Sequence, residues 1–143
     1  MAGTLYIDIV TPERSVFRGE ATGIRAPGVE GSFEVLHNHA PMIAAFDIGT
    51  MIIIGTGGER IVYATSGGFL EVLNNHVTVL AETAEPASEI DLERARRSEE
   101  RALERIQAAQ SDAERQAAAR ALERARNRTR IAMGRVGTER KPA

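Results

Sequence analysis

Near Pro86 the composition of this 143-residue chain changes abruptly. All six aromatic residues, all three histidines and eleven of the thirteen glycines precede that point, whereas thirteen alanines and no aromatic follow it. Charge changes with it. Residues 1–85 carry four arginines against ten carboxylates, a net of −6; residues 86–143 carry fourteen basic side chains against ten acidic ones, a net of +4. Such a division predicts two structural units rather than one mixed core. The expected organisation is a β domain over 1–86, a helical hairpin over 87–134 and a flexible tail over 135–143, joined at Ala84-Glu85-Pro86-Ala87-Ser88.

The first part reads as short strands. Leu5-Tyr6-Ile7-Asp8-Ile9-Val10 places Leu5, Ile7 and Ile9 on one face of an extended strand. Met51-Ile52-Ile53-Ile54 is apolar on both sides, as a strand covered on two faces is. Gly57-Gly58 and Gly67-Gly68 are read as breaks on either side of Arg60 to Ala64, and Asn74-Asn75 suits a two-residue hairpin turn. About eight to ten strands at this spacing predict an antiparallel sandwich or barrel, and without a disulfide two packed sheets bury the most surface.

The second part reads as two helices. Ser88 or Asp91 is placed to cap the first, which is expected to run to about Gln107. Ser111-Asp112-Ala113-Glu114 has the capping-box pattern and starts the second, with Gly134 and Gly137 as its stop. So short a link predicts an antiparallel hairpin. Its apolar stripe is mostly alanine, which favours helix but buries little, so the arm is expected to be strongly helical and weakly docked.

Composition excludes several chemistries. There is no cysteine, hence no disulfide, thiolate metal site or cysteine nucleophile. No apolar run approaches the roughly 18–20 residues that span a bilayer, and Met1 to Leu5 lacks the form of a secretory signal. The expectation is a protein at most peripheral to a membrane. His37-Asn38-His39 invites a metal, but the third histidine, His76, lies far away in a turn. Gly55-Thr56-Gly57-Gly58 lacks the spacing of a dinucleotide fingerprint, and Thr65-Ser66-Gly67-Gly68 lacks the first glycine and the helix of a nucleophile elbow; both are read as turns. Nothing pairs a nucleophile with a base, so the chain is not expected to be a free-standing enzyme.

The arginines of the hairpin are more informative. Arg94 and Arg101 are seven apart and Arg124 and Arg128 four apart, each pair on one helix face. An antiparallel hairpin can bring these four guanidiniums together near a helix N-terminus, which makes a phosphate site. The alternative is a solvated face laced by Glu93–Arg97 and Arg96–Glu100 pairs. From 111 to 132, however, six arginines outnumber Asp112, Glu114 and Glu123, so the second helix calls for an acidic partner.

Three stretches together resemble the epsilon subunit of bacterial and chloroplast F-type ATP synthases. They are Leu5 to Val10 with Thr11-Pro12-Glu13, Phe17 and Gly19; Glu30-Gly31-Ser32-Phe33 followed by His39-Ala40-Pro41; and Ser66 to Val72 ahead of Val77 to Ala81. The likeness covers residues 4–132 and implies a ten-stranded flattened β-sandwich followed by an antiparallel two-helix hairpin. It implies a non-catalytic rotor subunit of the central stalk, peripheral to the membrane on the cytoplasmic face of the bacterial plasma membrane. Such a subunit docks on the gamma subunit and the c ring, couples proton flow to ATP synthesis, and restrains hydrolysis when its hairpin extends to the alpha/beta catalytic head. By position, Glu30, Gly31 and Ser32 face the c ring, while His39, Ala40, Pro41 and Met42 lie near gamma. Just before His39 the family often has proline or glycine where this chain has His37-Asn38.

Some members of that family bind ATP as a regulatory ligand through Ile/Leu-Asp-x-x-Arg-Ala, which Ile90-Asp91-Leu92-Glu93-Arg94-Ala95 matches in full. The further family ligands fall on Glu85, Arg101, Arg124 and Arg128. No cofactor is required by this reading, no metal and no nucleic acid. The competing readings are a stand-alone nucleic-acid binder using the basic helix and a free ATP sensor acting away from any rotor. The acidic β part and the absence of stacking aromatics in the helices speak against the first.

Overall fold

The computed structural model describes residues 3–139, which divide into two compact units at the step from Pro86 to Ala87. In the first, eight strands form one sheet: β1 (Leu5–Val10), β2 (Ser15–Ala21), β3 (Gly23–Gly28), β4 (Gly31–Leu36), β5 (Met42–Ile54), β6 (Arg60–Leu73), β7 (His76–Ala81) and β8 (Ala84–Pro86). Their order is β2-β1-β7-β6-β5-β3-β4, with β8 also on β6.

Two long strands turn this sheet into a sandwich. β5 and β6 pair along almost their whole length, with Met42–Phe46 opposite Val72–Gly68 and Ile48–Ile54 opposite Ser66–Arg60. The first half of β5 and second half of β6 lie beside β7, β1 and β2; their other halves lie beside β3, β4 and β8. Counted by layer, each side of the sandwich therefore has five strand segments. The family resemblance implies ten strands, and the difference is one of continuity. Gly67 and Gly68, read above as a break, lie inside β6 with φ of +121° and +153°. They let the strand bend from one layer to the other, the ladder to β5 skipping only Gly67 and resuming at Ser66. A side chain at Gly68 would run into the Leu80 carbonyl and the Phe46 ring.

Alternation sets the core. Leu5, Ile7 and Ile9 of β1, Leu70 and Val72 of β6 and Val77 and Val79 of β7 pack in one cluster with Ile24, Val35, Met51, Ile53 and Tyr63 from the opposite layer. Ile52 and Ile54 are half-buried on the other face of β5. Asn74 and Asn75, at φ of +51° and +62°, make the two-residue turn between Leu73 and His76. One pair departs from the antiparallel expectation. β1 and β7 run parallel from Tyr6↔His76 to Val10↔Leu80, which the long intervening connection through the whole sandwich permits.

In the second unit a 3-10 turn (Ala87–Glu89) precedes α1 (Leu92–Ala108) and α2 (Asp112–Glu139). Asp91 caps α1, its side chain accepting a hydrogen bond from the Arg94 N–H at 3.1 Å. Ser111 Oγ accepts from the Glu114 N–H at 3.1 Å, and the Glu114 carboxylate accepts from the Gln110 N–H at 2.8 Å. The predicted stop at Gly134 and Gly137 is not observed, because α2 continues through both to Glu139. A glycine costs about 1 kcal/mol against alanine inside a helix but keeps its N–H, so it weakens a helix without ending it. Residues 140–143 of the expected tail lie outside the described residues.

Candidate functional site

The hairpin builds a groove of arginines. Ser98, Arg101, Ala102 and Arg105 of α1 and Ala121, Arg124 and Arg128 of α2 line a hollow of about 280 Å³. Alanines at the seam keep the helices close and leave the floor small, so the guanidiniums stand around an open depression. Arg101 Nη2 donates to Ser98 Oγ at 3.1 Å, and no carboxylate is among the lining residues. A lining of four arginines with one serine and small alanines favours an anion with several oxygens, since each guanidinium presents a fork of donors.

Of the sequence-predicted ligands, Arg101, Arg124 and Arg128 come together here. Arg94 does not line the groove; its N–H closes the Asp91 cap at the start of α1. Ile90 immediately precedes that cap, donating its N–H to the Ala87 carbonyl at 3.3 Å. Glu85 belongs to β8 in the first unit, opposite Ala64 of β6. Sequence reasoning missed Arg105 and Ser98. Both were within reach of the same spacing argument, since Arg105 lies four residues after Arg101 and Ser98 three before it.

The two predicted partner patches of the sandwich lie at opposite ends of β4. Glu30 lies in the two-residue turn Val29-Glu30 between β3 and β4, and Gly31 and Ser32 open β4, all three exposed; Gly31 takes a φ of +126° that a β-carbon resists. His39, Ala40 and Pro41 end the connection from β4 to β5, and Met42 is the first residue of β5. Four strand residues, Phe33 to Leu36, and the His37-Asn38 step lie between the patches, the strand part spanning about 13 Å. The His39 N–H donates to the Leu36 carbonyl at 3.1 Å, and its ring Nδ1 donates to the Ala40 carbonyl at 2.8 Å.

A third surface was not predicted. On the outward face of the first layer, Ala45 pairs with Phe69, Phe69 with Leu80 and Leu80 with Val10, and Ile43 shares the face of Ala45. Ile43, Phe69 and Leu80 are 72%, 59% and 56% exposed, so this is a continuous apolar strip rather than scattered surface residues. The signal was local: with Leu70 and Val72 inside, alternation puts Phe69 outside. Beside the strip, Asp8 accepts from Arg18 Nε at 2.7 Å, a hydrogen bond that raises the guanidinium above its ordinary value, and His76 Nε2 stands 3.7 Å from the same carboxylate. Among the described residues no three or more His, Asp or Glu side chains are arranged to hold a metal.

Family profiles match both units in order. One described as "ATP synthase, Delta/Epsilon chain, beta-sandwich domain" covers residues 4–87, and another, "ATP synthase, Delta/Epsilon chain, long alpha-helix domain", covers 88–133. The chain belongs to the ATP synthase delta/epsilon family. An ATP synthase epsilon chain from Salinibacter ruber is 55% identical over 146 aligned positions, covering 96% of this chain and 98% of that one. The epsilon chain of Desulforamulus reducens is 42% identical, over 92% and 99% of the two. Among solved structures, a chain of the Euglena gracilis mitochondrial ATP synthase matches with a TM-score of 0.75 at 24% identity, over 84% of this chain and 76% of that one. A chain from the central stalk and c ring of the Tetrahymena thermophila mitochondrial enzyme gives 0.68 at 15%, over 92% and 98%. At these identities the structures support the shared fold of the delta/epsilon family.

Proposed function

We infer that this chain is a non-catalytic epsilon-type subunit of the F-type ATP synthase rotor, coupling proton translocation to ATP synthesis and restraining ATP hydrolysis through its helices. The observation that carries this is the family match running through both units, residues 4–133, with near-complete coverage of curated epsilon chains. It does not favour a nucleic-acid binder or a free sensor.

In this reading the Glu30-Gly31-Ser32 turn meets the c ring and the His39-to-Met42 connection meets gamma. The strip of Ile43, Phe69 and Leu80 supports a partner over the adjoining face, because a contiguous apolar surface is what an assembly covers. The subunit is then peripheral, on the cytoplasmic face of the plasma membrane; no helix among the described residues is long and apolar enough to cross one. The basic α2 supplies the charge for acidic segments of the alpha/beta head.

The arginine groove supports a regulatory ATP, its phosphates held by Arg101, Arg105, Arg124 and Arg128. Ile90, Asp91 and Arg94 belong to that ligand set through the family motif, and Glu85 through the resemblance alone. ATP shifts the arm only as far as it prefers one arrangement over the other. Two measurements test the reading. Failure of the purified chain to co-assemble with gamma overturns the rotor role. NMR titration with ATP should give saturable shifts in α1 and α2 that Arg101→Ala and Arg124→Ala abolish. Shifts absent at millimolar ATP would leave the arginines as a grip on the catalytic head.

A further inference from the structure

The His37-Asn38 step in the connection between β4 and β5 is tied to a distant turn. Asn38 stands at a φ of +68° in the connection between β4 and β5. Its N–H donates to Asn75 Oδ1 at 2.6 Å, and Asn75 Nδ2 donates back to Asn38 Oδ1 at 3.2 Å. The two residues are 37 apart in sequence and occupy different turns. The bonds bring the turn before His76 beside the connection carrying His37 and His39, so histidines remote along the chain share one end of the sandwich. His76 is further fixed there by Tyr6, whose ring meets it edge-on with centroids 5.2 Å apart.

A loop held only by its own ends samples many conformations, and a partner that needs one of them pays to select it. Two reciprocal hydrogen bonds to a tight hairpin remove most of that freedom. We propose that Asn38 and Asn75 form a clasp that makes the β4–β5 connection and the β6–β7 hairpin turn one preformed docking surface for the gamma subunit. Asn75 is thereby a positioning residue for a loop it does not belong to. The proposal rests on the rotor reading above. Asparagine tolerates the left-handed backbone at 38 and adds a side-chain partner that glycine at the same φ lacks.

The test uses the full chain and purified gamma subunit. Asn75→Gly keeps the positive φ of the hairpin turn and deletes the clasp, Asn38→Gly deletes one of its two bonds, and Asn74→Gly alters the same turn without touching it. Asn75→Gly should speed amide exchange at Asn38 and weaken gamma binding roughly three- to tenfold, the loss worth one or two hydrogen bonds. Asn38→Gly should fall between it and wild type, and Asn74→Gly should match wild type. Wild-type binding with an unchanged Asn75→Gly affinity overturns the clasp, as does an equal loss in Asn74→Gly. Failure of the wild-type chain to bind gamma overturns the rotor reading itself, and the docking role with it.

Discussion

Replacing Ala102 with leucine should loosen the hairpin while leaving its helices intact. Ala102 is 2% exposed and lines the floor of the arginine groove, where α1 approaches α2. Among the described residues the hairpin buries four alanines, Ala95, Ala102, Ala118 and Ala125, worth at most about 3 kcal/mol together at roughly 0.8 kcal/mol per methyl-sized group, beside two larger side chains, Leu122 and Ile131. Three added carbons at a position only 2% exposed cost about 1–3 kcal/mol in displaced neighbours, comparable with what the four alanine methyls contribute. Leucine is nearly as good a helix former as alanine, and far-ultraviolet circular dichroism should stay close to wild type. Native-state amide exchange is the assay. Protection across α1 and α2 should fall about 5- to 150-fold, as 1–3 kcal/mol implies, with amides such as Val79 in the sandwich core unaffected. Exchange within twofold of wild type in both helices, or an equal rise at Val79, would refute the argument that a thin alanine seam holds the hairpin.

Gly68→Ala should destabilise the sandwich by about 3–5 kcal/mol, combining backbone strain with a collision at the Leu80 carbonyl, whereas Gly31→Ala, with open space at its β-carbon, should cost only about 1–2 kcal/mol in urea unfolding. Arg105→Ala should weaken ATP binding about tenfold, comparably to Arg101→Ala, and affinity in all variants should fall as salt rises; an unchanged affinity removes Arg105 from the site. Phe69→Ser should leave unfolding free energy within about 0.5 kcal/mol of wild type yet reduce co-assembly with gamma, read by gel filtration of the pair.

What the sequence made legible was whatever a few neighbouring residues decide. Leu5, Ile7 and Ile9 point inward because a strand alternates, Asn74-Asn75 turns because asparagine tolerates positive φ, and Asp91 and Ser111 cap because their side chains reach the next N–H groups. Gly67-Gly68 was ambiguous for a physical reason. Two glycines permit either a turn or a bend, and the choice is made by Phe46 and Ala81, which pair with Gly68 from other strands. Gly134 misleads similarly, since a propensity cost of about 1 kcal/mol is too small to end a helix. In the site, helix periodicity located Arg101, Arg124 and Arg128 and held Arg105 unread, while Arg94 shares the face of Arg101 but lies two turns away. The Asn38–Asn75 pair had no local signal at all.

The passage of β5 and β6 through both layers has a mechanical consequence. In a sandwich whose sheets touch only by side chains, a sideways force can slide one sheet over the other, because apolar contacts resist separation far better than shear. Here two continuous strands of the chain cross from one layer to the other near Phe46, Gly67 and Gly68, with ladder pairs on both sides of the bend. Sliding would have to break that ladder near the bend. A turning moment applied to one face is therefore delivered to the opposite face through covalent bonds and hydrogen bonds in series, with little lag, as a stiff key does in a shaft.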